Sequence, residues 1–317
     1  WQSIFRFTGS DVGLMTSFQD RHPDTVRVDL DQSFRFKDKL LELSSKFVTQ
    51  NPGQLKKVIK SQKTALGPVV HIAGGSLQSV LEKIEERALG ANKNREIFFL
   101  GRYNNTRGLD HRIPRWKSIE PTLPSTNGTY PPNIEHSTIH LSKGREADYV
   151  VVNKMSSGGF GFPSVRGDDP VISLLLPALD NYPGGEERRL FYVALTRARE
   201  EVWLFVPPKE CPSEFIEELI NEDIYKDLIE CHNLNINLES GCPKCESLML
   251  KRDSPDGGVF LGCSHWPRCK GSRPGCPECE EGILRRNDQK VLCSNDLCYF
   301  EERACPQCET GILVPKR

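Results

Sequence analysis

Apolar residues recur along the first 230 residues of the chain with the periods of helices and strands in alternation. Leu190, Val193 and Ala194 share one side of a helix predicted over EERRLFYVALTRARE, residues 186–200. Arg197 follows one turn beyond Val193, which places an arginine at the end of an apolar seam, pointing at a neighbouring element. Taken alone, the segment also fits a surface helix with solvated arginines.

Other segments surround this helix with a regular series of elements. Strands are predicted over residues 25–30, 69–75, 96–103, 149–152 and 201–206, and helices over residues 37–48, 76–89 and 213–229. Residues 104–133 and 156–183, rich in proline and glycine, are predicted as irregular connections. Strands alternating with helices indicate an α/β fold, with a parallel sheet covered by helices on both faces.

Length and charge narrow the class of protein. A chain of 317 residues accommodates one domain of about 200 residues and a smaller one. Its formal net charge of -1 gives no overall polybasic signal, so contacts with nucleic acid would depend on local grooves. No apolar run approaches the roughly 20 residues that span a bilayer, and there is no secretory signal. We therefore expect a soluble, cytoplasmic protein that binds no membrane.

Four segments resemble, in chain order, motifs III, IV, V and VI of superfamily 1 DNA helicases of the UvrD/Rep type. They are WQSIFRFTGSD (residues 1–11), DLDQSFRF (29–36), STIHLSKGREADYVVV (137–152) and the predicted helix over 186–200. The resemblance implies that residues 1–230 form the second RecA-like domain of such a helicase. Larger relatives have a sizeable insertion near residues 104–133, where this chain has room only for a loop.

The resemblance implies roles in ATP hydrolysis and nucleotide binding. Arg35 and Arg197 would reach the γ-phosphate like an arginine finger supplied in cis, because a guanidinium fork stabilises charge on the transferring phosphoryl group. Gln2 matches a glutamine that senses the γ-phosphate, and Phe34 matches an aromatic residue that stacks on adenine. The positions that match the surroundings of the nucleotide sugar are Gly144 and Glu146.

The same resemblance implies contacts with single-stranded DNA. Phe7, where the family usually has tryptophan, matches a base-stacking platform, and His140 and Lys143 would face the strand. Stacking tolerates any sequence and contributes about 1–3 kcal/mol per base. Taken alone, Phe7 and Phe34 would more often be core residues, but the motifs around them favour the functional role.

Two parts of an ATPase are missing from the sequence. There is no G-x-x-x-x-G-K-[ST] loop to hold phosphates and no apolar strand ending in Asp-Glu to hold Mg²⁺. In the family these parts belong to a first RecA-like domain, which would precede Trp1. We therefore expect a fragment that shares ATP and Mg²⁺ with that missing domain and does not hydrolyse ATP by itself.

Cysteines are concentrated near the C-terminal end of the chain. Ten of the twelve follow residue 241 in paired spacings, whereas Cys211 and Cys231 stand alone. Three segments begin alike, GCPKCESLML, GCPECEEGIL and ACPQCETGIL, which indicates an internal repeat. A C-x₂-C turn facing a second cysteine pair is typical of four-thiolate zinc sites, which are structural because no coordination position stays open.

The spacings predict zinc ribbons over residues 242–271 and 276–300 and an incomplete third over 305–317, after a linker over 231–241. The predicted Zn²⁺ ligands are Cys242, Cys245, Cys263 and Cys269 in the first ribbon, Cys276, Cys279, Cys293 and Cys298 in the second, and Cys305 and Cys308 in the third. His265 lies inside the first loop, but four cysteines already complete that site.

The segment VFLGCSHWPRCKG, residues 259–271, resembles the C-terminal zinc ribbons of type IA DNA topoisomerases, which bind single-stranded DNA. Acidic and basic residues nearly balance after Gly241, so charge supports DNA binding only weakly. Trp266, Phe260 and Tyr299 are better candidates, as stacking surfaces.

Three interpretations remain open at this point. The leading one is the C-terminal part of an ATP-dependent DNA helicase, moving 3′ to 5′ on single-stranded or partly duplex DNA, with DNA-binding zinc ribbons. The second is a degenerate motor whose ribbons recruit a protein partner such as RNA polymerase. The third, the tail of a topoisomerase, conflicts with the helicase segments.

Overall fold

The structure is a computed structural model, and its described residues form two compact units, residues 1–234 and 235–317. It describes the chain apart from residues 27, 29, 89–95, 104–133, 158–159, 165, 167–170, 172–173, 178–179, 181, 209, 235, 238–240, 254–258, 265, 267–268, 280–282, 288, 296 and 307–317. The predicted connection over 104–133 and the predicted ligand Cys308 lie outside the described residues.

The first unit alternates helices and strands. Its α-helices are α1 (Val12–Thr16), α2 (Phe18–Arg21), α3 (Asp38–Thr49), α4 (Leu77–Ala88), α5 (Gly185–Leu195) and α6 (Glu214–Asn221). Its strands are β1 (Gln32–Ser33), β2 (Lys60–Ser61), β3 (Val70–Ala73), β4 (Ile97–Gly101), β5 (Ile134–Thr138), β6 (Ala147–Val152), β7 (Ala198–Phe205) and β8 (Ile229–His232). Short 3₁₀ helices cover Arg6–Thr8 and Asp223–Tyr225.

Six of these strands form one parallel sheet in the order β5-β4-β6-β7-β3-β8. Along β6, Val150 and Val152 pack in one apolar cluster with residues of α3, α5 and α6, whereas Tyr149 and Val151 pack in a second cluster with residues of α4. Both faces of the sheet are therefore covered, which explains why the inner strands are almost continuously apolar. The predicted α/β class, with a parallel sheet between helices, is confirmed.

Local signals account for the elements that were placed correctly. Helix α3 lies over the predicted range because its apolar residues recur at helical spacing on the buried side. Helix α4 begins after Ser76, whose Oγ accepts a hydrogen bond from the backbone N–H of Ser79 at 3.1 Å, as an N-cap does. Among the described residues, no helix combines the length and apolar character that a membrane crossing requires.

The strand predicted over residues 25–30 is not formed at the described positions of that segment. Val26, Val28 and Leu30 alternate with polar residues, but all three side chains are exposed. Alternation indicates a strand only when one face is buried, and here no sheet buries it. The first strand instead begins at Gln32.

Two predicted helices are too long. The helix predicted over 186–200 ends at Leu195: the backbone N–H of Arg197 donates to the carbonyl of Ala194, three residues back, and Arg197 Nε donates to the Val193 carbonyl that the next helical bond would use. The helix predicted over 213–229 ends at Asn221, where the backbone of Glu222 becomes extended.

Two edge strands were not predicted. Strand β8 pairs with β3 and includes residues 231 and 232, which the sequence had assigned to the linker. Strand β5 pairs with β4 at the opposite edge of the sheet. Both are short and carry polar side chains, so they lack the apolar runs of the inner strands.

The second unit consists of short antiparallel strands. They are β9 (Ile236–Asn237), β10 (Met249–Asp253), β11 (Val259–Cys263), β12 (Ser272–Pro274), β13 (Leu284–Asn287), β14 (Lys290–Cys293) and β15 (Glu301–Arg303). The first four form a sheet in the order β12-β11-β10-β9, and the last three form a second sheet. Each sheet buries a small cluster in which cysteines lie among a few apolar residues.

Candidate functional site

The acidic residues at the start of α5 hold segments that are distant in the sequence. Glu187 accepts hydrogen bonds from Arg102, which follows β4, at 2.9 Å from Nε and 2.8 Å from Nη2. Glu186 accepts from Nε of Arg6, in the N-terminal segment, at 3.3 Å. These side chains contribute to the lining of a cleft of about 700 Å³. The start of α5 is thus attached to the sheet and to the N-terminal segment.

The two arginines that follow fix the start of α5 through further contacts. Arg188 donates to the carbonyl of Phe47 at 2.8 Å and forms an ion pair with Glu218 of α6. Arg189 donates to the carbonyl of Ser3 at 2.7 Å and pairs with Asp180. Both arginines are buried, and removing one partner of a buried ion pair typically costs about 3–5 kcal/mol. These contacts fix the position of the helix and therefore that of the turn after it.

Arg197 lies in that turn, between α5 and β7, and is 1% exposed. Its Nε donates to the carbonyl of Val193 at 2.9 Å, its Nη1 to the carbonyl of Arg145 at 3.0 Å, and its Nη2 to the Thr196 hydroxyl at 3.2 Å. Burial lowers the pKa of Arg197 to about 10, and the nearby Arg35 adds to this effect. The side chain still carries its charge at neutral pH, held by uncharged oxygen atoms.

Arg35 reaches the same turn from the loop after β1. Its Nη1 donates to the carbonyl of Thr196 at 3.3 Å, and its Nε donates to Glu146 at 2.6 Å. The other carboxylate oxygen of Glu146 accepts from Arg199 at 2.9 Å. The hydrogen bond from Arg199 is the main cause that lowers the pKa of Glu146, and Arg35 contributes as well. Three guanidinium groups thus surround Thr196 and Glu146, an arrangement suited to binding an anion.

The residues predicted to contact DNA lie close together, although they come from segments far apart in the sequence. The rings of Phe7 and His140 are 5.5 Å apart and nearly perpendicular, and Phe5 lies against both. Lys143 Nζ lies 5.2 Å from the Phe5 ring centre and donates to the carbonyl of Gln2 at 3.0 Å. Burial, together with the nearby charge of Arg102, lowers the pKa of His140 to about 4, so the ring is neutral at physiological pH.

Two aromatic side chains and one glycine are placed in ways that suit their expected contacts. Phe7 is 54% exposed and Phe34 is 65% exposed, so neither is a core residue. Phe34 precedes Arg35 directly. Gly144, two residues before Glu146, has a φ of +88°, a conformation that side chains rarely adopt, and it leaves open space beside the backbone.

The described cysteines of the first two ribbons form two compact tetrads. Sulfur atoms are 3.6 Å apart for Cys242 and Cys269 and 3.4 Å apart for Cys245 and Cys263. In the second ribbon the distances are 3.7 Å between Cys276 and Cys298 and 3.5 Å between Cys279 and Cys293. A tetrahedral zinc ion with Zn–S bonds of about 2.3 Å separates its sulfur ligands by about 3.8 Å, so both tetrads fit Zn²⁺.

Close packing around the first tetrad explains why residue 271 is a glycine. A Cβ atom on Gly271 would overlap the sulfur of Cys242. Backbone N–H groups of Lys244 and Asn295 donate to Cys242 and Cys293 at 3.5 and 3.3 Å, which stabilises thiolate ligands. Cys305, the remaining predicted ligand among the described residues, follows β15.

Comparison with known proteins finds a matching family for a part of each unit. Residues 117–207 match the family model of the UvrD-like helicase C-terminal domain, a range that includes Glu146, α5 and Arg197. This part of the chain is similar to a UvrD-like helicase C-terminal domain. Residues 239–275 match the family model of the topoisomerase DNA-binding C4 zinc finger, which includes the first tetrad. The two family resemblances found in the sequence are confirmed over these ranges, and Zn²⁺ is the metal that the tetrads fit.

One relative extends the similarity of the helicase domain. DNA helicase IV of Escherichia coli (strain K12) is 37% identical over 227 residues, which make up 71% of this chain and 31% of the relative. The chain therefore spans about a third of the length of this relative. The C-terminal domain of a possible DNA helicase from Lactobacillus plantarum WCFS1 aligns over 63% of this chain and 98% of its own, with 16% identity. Its TM-score of 0.35 is too low to support an argument.

Several residues of the helicase domain that hold the site were not found from the sequence. Arg199 shares Glu146 with Arg35, and its position two residues after Arg197 was the available signal. Arg188 and Arg189 lie in a run of charged residues that is typical of a solvated surface, yet both are buried and form ion pairs. Their partners are distant in the sequence, so no local pattern could indicate them.

Proposed function

We propose that this chain forms the C-terminal portion of an ATP-dependent DNA helicase that moves 3′ to 5′, with zinc ribbons that bind DNA. The observation that best supports the proposal is the meeting of Arg35 and Arg197 at one turn. The two come from different motifs, and Arg35 donates to the carbonyl of Thr196, the residue directly before Arg197. Such a pair suits the negative charge that develops on a transferring phosphoryl group.

ATP would bind between this domain and a first RecA-like domain. Gln2, Phe34, Gly144 and Glu146 are the proposed contacts on this side of the nucleotide, and Mg²⁺, when bound, neutralises phosphate oxygens. Arg197 would exchange its carbonyl contacts for phosphate oxygens, since its guanidinium is already charged and already lies in the turn. Arg35 would hold the same phosphate while Glu146 keeps its fork oriented.

Single-stranded DNA would lie across Phe7, His140 and Lys143. The exposed Phe7 ring offers a face for a base, and the neutral His140 ring supports it from the side. Lys143, whose ammonium group is fixed by the Gln2 carbonyl, supplies the charge for the backbone phosphate. Stacking without base-specific hydrogen bonds suits a motor that acts on any sequence.

The zinc ribbons would add DNA affinity through exposed aromatic side chains. The two tetrads fit structural zinc, which leaves recognition to the surface around them. Trp266 lies directly beside the first tetrad and is 54% exposed. Recruitment of a protein partner is the competing role. The DNA affinity of a Trp266→Ala variant separates the two roles.

The direct test of the proposal measures DNA-stimulated ATP hydrolysis by the full-length protein carrying Arg197→Ala. We expect kcat to fall by about 10³-fold or more while ATP affinity changes little, as when an arginine finger is removed. Arg197→Lys should restore little activity, because a point charge does not reproduce the planar fork.

Arg145→Ala is the matched control for this test. Arg145 neighbours the site, but its exposed side chain pairs with Glu135 and not with the residues around Thr196. Its kcat should stay near that of the parent. Because Arg197→Ala leaves buried carbonyls without a donor, its folded fraction at the assay temperature is measured in parallel. A folded Arg197→Ala protein with kcat within about threefold of the parent would contradict the proposal.

A further inference from the structure

We propose that His71, His232 and Glu230 form a third metal site in this chain, one that binds a divalent transition-metal ion of the zinc type. The site lies at the edge of the sheet formed by β3 and β8, on the face covered by α4. It is separate from the cysteine tetrads and from the residues around Arg197.

The three donor atoms have the spacing of ligands around one ion. His71 Nδ1 lies 3.1 Å from His232 Nε2 and 3.3 Å from Glu230 Oε2, and the latter two atoms are 3.8 Å apart. Nitrogen and oxygen ligands at about 2.0–2.1 Å from tetrahedral zinc are separated by about 3.3 Å. Two imidazoles and one carboxylate, with water in the remaining position, form a ligand set that zinc accepts.

The register of the sheet brings these residues together. His71 on β3 is directly opposite Glu230 on β8, and His232 follows Glu230 by two residues, so it returns to the same face. Cys231, which lies between them, points to the other face and is not part of the cluster. The site therefore depends on backbone pairing and not on a flexible loop.

A buried tryptophan orders both imidazole rings. His71 stacks on Trp203 with 4.4 Å between ring centres, and His232 stacks on the same residue at 5.1 Å, each with an angle of 22° between the planes. Trp203 and His71 are both 0% exposed. Ligands held in this way lose little conformational entropy when an ion binds.

A second carboxylate orients the buried imidazole. Glu201 Oε2 lies 3.5 Å from His71 Nε2, and both atoms are buried without a closer hydrogen-bond partner among the described residues. This carboxylate favours the tautomer with the proton on Nε2, which leaves the Nδ1 lone pair directed at the other two donors. A carboxylate behind a metal-binding histidine is the usual arrangement in zinc sites.

Two cations of α4 compete with the ion and set its affinity. Lys83 Nζ lies 3.3 Å from His232 Nδ1, and Arg87 donates to Glu230 Oε2 at 3.1 Å. In the metal complex His232 Nδ1 would carry a proton, so the Lys83 ammonium group must turn away. We therefore expect weaker binding than in the four-thiolate sites, and we expect the Lys83 charge to reduce the affinity directly.

The experiment uses the whole chain with its ribbons loaded and titrates Zn²⁺ in the presence of a weak chelating dye. We expect one additional zinc ion per wild-type chain, released by the dye before the thiolate-bound ions. Glu230→Gln and His232→Gln should each lose that ion while retaining the others. His22→Gln, which removes an exposed histidine outside the cluster, is the matched control and should bind as the wild type does.

Two further readouts distinguish a metal site from a purely structural cluster. Lys83→Gln should bind the additional ion about tenfold more tightly, because it removes a charge and supplies an amide oxygen that accepts from His232 Nδ1. Added Zn²⁺ should raise the unfolding temperature of the wild type and of Lys83→Gln, but not of Glu230→Gln or His232→Gln. Equal zinc content and equal affinity in the wild type and both ligand variants would overturn the proposal, as would an unchanged affinity in Lys83→Gln.

Discussion

Residues 1–234 and residues 235–317 are stabilised in different ways. The first unit buries side chains of six strands and their covering helices in two apolar clusters. The second buries only a few apolar residues around each cysteine tetrad. Apolar burial yields stability in proportion to area, whereas a structural zinc ion supplies its binding free energy only when its ligands are assembled. The two units should therefore respond to different perturbations.

Removing zinc tests this difference most strongly. A chelator should unfold the ribbons over residues 241–306 and leave residues 1–234 folded, because structural zinc sites contribute about 10–16 kcal/mol of apparent binding free energy. Hydrogen exchange measured along the chain, before and after chelation, reports both units in one experiment. Re-addition of Zn²⁺ is the control for reversibility. Ribbon amides that stay protected without metal would show that the apolar clusters are sufficient.

Truncating a core aromatic residue should have the converse effect. Phe47 is fully buried, its ring contacts Phe191 and Phe215 at 4.8 and 5.0 Å, and Arg188 lies 4.3 Å above it. Phe47→Ala should lower the free energy of unfolding of the first unit by about 3–5 kcal/mol, since it leaves a cavity.

Zinc content and urea unfolding of Phe47→Ala should be measured together. The number of bound zinc ions should not change, because the ribbons have their own clusters. Leu66→Ala, at a fully exposed position, is the matched control and should change stability by less than about 0.5 kcal/mol. Loss of thiolate-bound zinc from Phe47→Ala would show that the two units are energetically coupled.

Acid should expose a histidine contribution within the first unit. The pKa of His140 is lowered to about 4 in the folded chain, against about 6.5 in the unfolded chain. A depressed pKa stabilises the folded state above pH 6.5, and this contribution is lost as the pH falls toward 4. Between pH 7.5 and pH 5 the loss amounts to about 2 kcal/mol or less, given the partial exposure of the ring.

Urea unfolding of the wild type and of His140→Gln at both pH values isolates this contribution. Acid also weakens thiolate ligation, but it does so in both proteins, so the difference between them reports His140. The stability gap should shift in favour of the variant at pH 5. Parallel pH dependence of the two proteins would contradict the assigned pKa.

The smallest expected effect concerns DNA binding by the ribbons. Trp266→Ala should weaken binding to a thymine-rich oligonucleotide by about 1 kcal/mol, the lower end of the range for stacking, because about half of the residue's surface is already covered. Trp266→Phe should recover most of this affinity, and zinc content should not change. Unchanged DNA binding with zinc retained would favour a protein partner for the ribbons.

Sequence patterns were sufficient where one residue's neighbours along the chain determine its environment. The cysteine spacings indicated both described tetrads, and periodicity with a serine cap placed α4. Sequence patterns failed where partners that are distant in the sequence determine the environment of a residue. Strand β8 has the sequence IECH, whose polar residues gain their place only from β3, Trp203 and α4. The motif identified Arg197 as a candidate site residue. Its hydrogen bonds to backbone carbonyls depend on a turn that the helical pattern did not indicate.

Residues 139–146 connect β5 to β6 without a helix, although parallel strands usually need a dozen or more residues to cross. Ile139 is buried in the core, and its backbone N–H donates to the carbonyl of Gly101 of β4 at 3.0 Å, which attaches the segment to the sheet. Within the segment, the Ser142 hydroxyl donates to the Ile139 carbonyl at 2.7 Å. Its beginning contains His140, beside the proposed DNA platform, and its end contains Glu146, beside the proposed phosphate-binding arginines. Because the segment is short and anchored at Ile139, we expect a displacement imposed at its DNA end to be passed on to its nucleotide end.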